Sequence, residues 1–249
     1  LAIPRAAVAA LTLLAALAGA VPPGAPSASA APRPPASGTV TVGVFGDSFA
    51  QGVWYTLDHA FPAAGHFTIV NDTRASTGFS RPDVIDVMKD STAALSGRRI
   101  DAAVIDFGAN DTQGIKDGKK VYPFLSPNWE ALYASRLARF VSLLRAHGAS
   151  RIYWVGLPKM RSAPYDAHVD GLMRFYAPTM AKLGVTFIPV RQLTVDRGGA
   201  FSLRLDDGPR GGVVMRTNDG IHMSMAGYRR ITQPVIDRLL ADYPSARLR

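Results

Sequence analysis

Residues 40–57 read VTVGVFGDSFAQGVWYTL, and the fold turns on how this stretch divides. Val40, Val42, Val44 and Phe45 form an apolar β-branched run, the signature of a buried strand. From Phe49 onward, Val53, Trp54, Leu57 and Phe61 recur at helical spacing. The stretch therefore predicts a strand, a tight turn at Gly46-Asp47-Ser48, and a helix. A serine in that turn has two readings: a helix N-cap, or a nucleophile whose hydroxyl stands exposed at the strand tip.

The same alternation continues downstream. Strands are expected at Thr39–Phe45, Phe67–Asn71, Ala102–Phe107, Arg151–Leu157 and Val185–Val190. Helices are expected at Phe49–Phe61, Pro82–Leu95, Trp129–His147, Pro164–Leu183 and Met225–Tyr243, with a kink or a division into two short helices at Pro234. Strands alternating with helices in this way predict βαβ units, hence an α/β fold with a parallel sheet covered on both faces. Two long connections stand out, Asp111–Pro127 and the Gly- and Arg-rich Arg191–Asn218. In such sheets ligands sit outside the carboxyl ends of the strands.

The chain of 249 residues is 47% hydrophobic and 19% charged, a composition that fits one compact domain. It has no cysteine, which excludes disulfides, thiolate zinc sites and thiol catalysis. Residues 1–30 read as a secretory signal: Arg5, an Ala/Leu run, then Ala28-Ser29-Ala30 as an A-x-A cleavage site. An uncleaved N-terminal anchor is the alternative, although the apolar run is short against the roughly 20 residues that span a bilayer. Residues 31–38, APRPPASG, read as a flexible linker, and 39–249 as the folded domain. A secreted or periplasmic protein with no stable membrane span after cleavage is expected. Without Arg5, 27 basic residues face 19 acidic ones, a mature charge of +8 with histidine neutral. That balance favours anionic partners, and secretion points away from nucleic acid.

The first predicted strand runs into Gly46-Asp47-Ser48, the second into RASTG ending at Gly78, and the third into Gly108-Ala109-Asn110-Asp111. DGIH, Asp219–His222, precedes the last helix. Acyl transfer needs a hydroxyl, a base that takes its proton, a carboxylate that orients the base, and donors aimed at the developing oxyanion. Ser48 supplies the hydroxyl, and its own amide is an unpaired helix N-terminal donor. Gly78 lets its amide approach a substrate oxygen closely, and Asn110 offers a side-chain N–H. Asp219, three residues before His222 on an Asp-Gly turn, can reach Nδ1 and leave Nε2 for Ser48. Each residue alone has a commoner reading as a cap, a turn or a loop former. Their order and placement together favour one site.

These four blocks resemble the SGNH hydrolase superfamily, the GDSL-like esterases and lipases: the GDS with Ser48, the isolated Gly78, the G-x-N-D with Asn110, and the D-x-x-H with Asp219 and His222. The surrounding RASTGFSRPD, YWVGLPKMRS and DGIHMSMAGYR look like a secreted or periplasmic bacterial branch whose substrate is largely unassigned. The resemblance implies a flavodoxin-like three-layer α/β/α sandwich with a five-stranded parallel sheet in the order 2-1-3-4-5. It implies Ser48 as nucleophile, His222 as base and then acid, Asp219 as its orienting partner, and Ser48, Gly78 and Asn110 as oxyanion hole. Phe49 stands where an aliphatic residue often follows the serine.

Basic side chains cluster in the same loops: Arg74 and Arg81 around Gly78, Lys159 and Arg161 after the fourth strand, and Arg216 before DGIH. Together with the loop aromatics Tyr122 and Phe124 they are the candidate substrate-binding residues. They point to an ester-bearing substrate, an anionic or acetylated glycan, and to a deacetylase-type esterase. An O-acyltransferase using the same acyl-serine and a non-catalytic glycan-binding protein of the same fold are the alternatives. No cofactor and no metal are expected, because His59, His66, His147 and His168 lack ligand spacing and no phosphate-binding glycine motif occurs.

Overall fold

The computed structural model describes residues 38–61, 65–205 and 212–246; the signal segment and all but the last residue of the linker lie outside them. Strands β1 (Val40–Gly46), β2 (Phe67–Thr73) and β3 (Ala102–Asp106) are followed by a small hairpin, β4 (Ile115–Asp117) and β5 (Lys120–Tyr122). Then come β6 (Arg151–Val155), β7 (Thr186–Ile188) and a second hairpin, β8 (Arg204–Leu205) and β9 (Val213–Val214). The helices are α1 (Ser48–Ala60), α2 (Val87–Ala94), α3 (Pro127–Ala146), α4 (Ala163–Lys182) and α5 (Met225–Asp242).

The main sheet has five parallel strands in the order β2-β1-β3-β6-β7. This is the order that the resemblance implies. Period-two alternation explains why both faces are buried. Val40, Val42, Val44, Val104, Tyr153 and Val155 pack with Val53 and Leu57 of α1 and with Ile231, Val235 and Leu239 of α5. Their neighbours Phe45, Ala103, Ile105, Ile152 and Trp154 face the other way, onto Leu137 and Phe140 of α3 and Leu172 and Tyr176 of α4.

One helix differs from expectation, and another decides between two alternatives. α2 begins at Val87 rather than Pro82, because the Asp86 carboxylate accepts the Lys89 amide and fixes the start there, while Val84 and Ile85 turn back onto the Arg81 carbonyl. α5 is one helix through Pro234, not two. Ile231, Val235 and Leu239, all 0% exposed, form one continuous buried stripe across the proline, and that packing outweighs the lost backbone bond. The two long connections carry the two hairpins, so neither is structureless.

Candidate active site

The role of Ser48 is decided one residue earlier. Asp47 is the N-cap of α1: its Oδ1 accepts the Phe49 amide at 2.9 Å. Ser48 Oγ is thereby free of capping and lies 2.8 Å from His222 Nε2, across 174 positions of sequence. Close packing of α5 on α1 brings the imidazole there. A Cβ on Gly52 would meet the Tyr228 ring at 2.3 Å, so only glycine permits this approach.

On the far side of the ring, His222 Nδ1 is 2.7 Å from Asp219 Oδ2. Asp219 Oδ1 accepts the Thr217 hydroxyl at 2.6 Å and the Ile221 and His222 amides at 2.8 and 3.0 Å. What burial the carboxyl has works against its ionisation, but the bonds from Thr217, His222 and Ile221 prevail and hold it below the usual carboxylate range. Phe49, buried, stacks on the imidazole with centroids 5.3 Å apart and planes at 24°. The residue that departs from the aliphatic pattern thus forms a wall for the histidine ring. The side chains of His222 and Asp219 are 37% and 44% exposed, so the dyad is open to water.

Gly78 and Asn110 come together at the strand ends. Asn110 Nδ2 donates to the Thr77 carbonyl at 3.0 Å and to Asp47 Oδ2 at 3.2 Å. Among the described residues the Ser48 and Gly78 amides meet no protein acceptor. The need for glycine at 78 has a source that the sequence did not reveal: a Cβ there would lie 2.4 Å from the Asp111 carboxylate. Asp111, fully buried, accepts the Ser80 amide at 2.7 Å and the Tyr133 hydroxyl at 2.7 Å, which locks the Gly78 loop to the Asn110 loop. A cavity of about 180 Å³ adjoins them, lined in part by Gly78, Asn110, Val84 and Ile85.

Behind the turn lie carboxyls that sequence reading passed over. Burial pushes Asp47 up to about 7, in spite of the donors Phe49, Gly108 and Asn110 and with Asp111 adding to the rise. Asp106, at the end of β3, is raised well above its ordinary value by burial and then by Asp47, and among the described residues neither of its oxygens has a partner. An Asp two residues ahead of a helical run is a recognisable cap signal; nothing local distinguishes Asp106 from a surface carboxylate.

The candidate substrate-binding residues scatter. Arg216 is a correction: at 1% exposure it cannot present its guanidinium to a substrate. Its fork instead reaches the carbonyls of Lys159 at 2.5 Å, Ile221 at 2.6 Å, His222 at 3.3 Å and Gly220 at 3.5 Å, tying the DGIH turn to the loop after β6. Burial lowers its pKa to about 10, which leaves it charged. Lys159 is also taken, its Nζ 2.9 Å from Asp166, which binds Arg191 as well. Arg74 pairs with Asp90; Arg81 pairs with Asp83 and also lines the cavity beside Gly78 and Asn110. Tyr122 and Phe124 join the packing on α3 rather than the Ser48–His222 centre, Phe124 lying edge-on to Trp129 at 5.1 Å. Arg161, exposed beside Gly220, remains accessible.

Comparison with known proteins agrees with this architecture. A family model described as "Protein of unknown function (DUF459)" matches residues 41–238. No curated protein matches the chain. Among solved structures, a protein assigned as an SGNH hydrolase from Slackia heliotrinireducens is 16% identical, with TM-score 0.53, covering 81% of this chain and 99% of its own. The inhibitor-bound aryl esterase of M. smegmatis is 12% identical, TM-score 0.56, with 82% and 99% covered. Axe2, an acetylxylan esterase from Geobacillus stearothermophilus, is 13% identical, TM-score 0.51, with 82% and 93% covered. At such identities the likeness is one of fold: the chain has the SGNH hydrolase fold.

Proposed function

Because this chain belongs to the DUF459 family and has the fold of SGNH hydrolases, we propose that it is a serine esterase that removes small acyl groups, acetyl above all, from an extracellular or cell-envelope glycan. The observation that carries the reading is the relay Ser48 Oγ–His222 Nε2 at 2.8 Å and His222 Nδ1–Asp219 Oδ2 at 2.7 Å. In it, Ser48 Oγ attacks the acyl carbon while Nε2 takes its proton. The negative charge that grows on the carbonyl oxygen meets the Ser48 and Gly78 amides and Asn110 Nδ2. For Asn110 to contribute, its longer bond to Asp47 is exchanged for one to the oxyanion. Nε2 then returns the proton to the leaving alkoxide, and an acyl-serine remains. Water, activated by the same imidazole, attacks that ester and releases the acid.

Two further observations support the details. The cavity of about 180 Å³ beside Gly78 and Asn110 suits an acetyl-sized group better than a long chain. The exposure of His222 and Asp219 favours hydrolysis over transfer, since water reaches the acyl-serine freely. Among the described residues no helix is long and apolar enough to cross a membrane; secretion after cleavage at Ala30 belongs to the same proposal. The test is hydrolysis of p-nitrophenyl acetate and butyrate, together with fluorophosphonate labelling mapped by mass spectrometry. Acetate release with label on Ser48 is expected. Wild-type turnover in Ser48→Ala would refute the mechanism.

A further inference from the structure

The excursion after residue 195 builds a groove beside the Asp219–His222 turn that the acyl chemistry leaves unused. It is an open depression of about 740 Å³, lined by Arg161, Phe201, Ser202, Leu203, Arg204 and Asn218. Its link to the relay is direct. Asn218 precedes Asp219 in sequence, its carbonyl accepts Arg161 Nη1 at 2.8 Å, and the Arg161 amide donates to the Gly220 carbonyl at 3.0 Å. The Phe201 ring has the guanidinium carbons of Arg161 and Arg216 at 5.3 and 4.9 Å from its centroid. The wall of the groove is thus continuous with the residues that hold the histidine turn.

The charge of the groove sets it apart from the other loops. Arg74, Arg81, Lys159 and Arg191 are each matched by a carboxylate. Among the described residues, Arg161 and Arg204 make no ion pair; each gives one Nη to a backbone carbonyl, of Asn218 and Gly212 respectively, and keeps its other donors. Asp219, the described carboxylate next to Asn218, is saturated by His222, Thr217 and two amides. Two guanidinium forks without a carboxylate partner among the described residues match carboxylate or phosphate oxygens geometrically. Phe201 and Leu203 are the apolar part of the lining and Ser202 and Asn218 its uncharged polar part, which is a surface for a sugar chain rather than for an acyl tail.

We propose that this groove is an anionic-glycan subsite: it holds a negatively charged sugar next to the acylated one, so that the substrate class is acetylated acidic glycan. The inference rests on the esterase reading above. It is tested by the ratio of kcat/KM for O-acetylated trigalacturonate to that for acetylated xylotriose, taken within each variant so that damage to the relay cancels. The wild type should favour the anionic ester, and added salt should erode the preference. Arg204→Ala should cut the ratio about threefold, and the Arg161→Ala/Arg204→Ala pair about tenfold, the scale of exposed charge contacts. A ratio equal in wild type and double variant overturns the subsite while leaving esterolysis intact. If the wild type cleaves neither ester nor p-nitrophenyl acetate, the esterase reading falls separately. The groove is then judged by calorimetry with trigalacturonate and with glycerophosphate, which also separates carboxylate from phosphate recognition. Heat from either ligand that the double variant loses upholds the groove, and no heat in the wild type removes it.

Discussion

The Asp47 carboxylate takes the Phe49 amide at 2.9 Å, so the start of α1 is fixed by the residue before the candidate nucleophile and not by the nucleophile itself. Capping and chemistry are thereby divided between adjacent side chains. The division makes them separable by mutation.

Ser48→Ala should lose at least about 10⁴-fold in turnover, the scale for removing a relay nucleophile, yet shift stability by less than about 0.5 kcal/mol because no cap is lost. Asp47→Ala removes the cap and should cost about 1–2 kcal/mol of folding free energy. Urea denaturation of the two variants beside a p-nitrophenyl acetate assay checks both halves. Equal destabilisation by both would return Ser48 to the role of a cap.

Asn110→Ala removes an oxyanion donor and also the ties to Thr77 and Asp47. Turnover should fall about 10²- to 10³-fold, with a stability loss of about 1–2 kcal/mol from the two hydrogen bonds. The fold should persist, as circular dichroism would report. An unchanged kcat in a folded variant would take Asn110 out of the oxyanion hole.

Arg216→Met should act on both stability and catalysis. The Lys159 and Ile221 carbonyls lose their donor, while those of Gly220 and His222 keep the Arg161 and Thr217 amides; each buried carbonyl left unsatisfied costs about 1–3 kcal/mol, so a drop in melting temperature is expected. In the fraction still folded, kcat should fall with KM nearly unchanged, since the guanidinium positions the His222 turn and is too buried to touch substrate. Arg216→Lys, which keeps the charge but not the fork, should recover only part of the loss. A selective rise in KM would instead mark Arg216 as a substrate ligand.

The Asp47 carboxyl, raised to about 7, gives stability a definite pH sign. Its proton is held more tightly in the folded than in the unfolded chain, so its contribution is full below about pH 4 and is lost as pH rises toward 7. Asp47→Asn removes this titration. The stability of the variant relative to wild type should therefore climb from pH 4 to 7 and level off above, by up to about 1.4 kcal/mol per pH unit for one proton. Asp106 beside it is raised in the same direction, by burial and by Asp47. Urea midpoints at pH 4.5, 6 and 8 measure the climb, and a pH-independent difference would contradict it.

The layer architecture was legible in the sequence because it rests on local periodicity. Val42 and Val44 facing one way and Phe45 the other, and Phe49, Val53 and Leu57 on one helical stripe, are patterns that a chain displays before it folds. The positions of Ser48, Asn110, Asp219 and His222 were legible for a related reason, since each sits at a strand end or a turn that the same periodicity marks. Whether Pro234 divides the last helix was open in the sequence, because burial on both sides of it is a tertiary fact.

What only the tertiary structure decided is partnership. Lys159, Arg216 and Arg161 look alike in sequence as basic residues of two loops. Folding sends the first to Asp166, buries the second under backbone carbonyls and leaves the third on an open groove. The fate of a charged side chain depends on which carboxylates and carbonyls arrive beside it from distant parts of the chain, and on how much water remains. Neither quantity has a local signature. The sequence by itself determined the sheet, the turn and the residue types at the candidate site; the packing of α5 on α1 decided that His222 meets Ser48, because a 2.8 Å contact between residues 174 positions apart is made by close-packed surfaces and not by spacing.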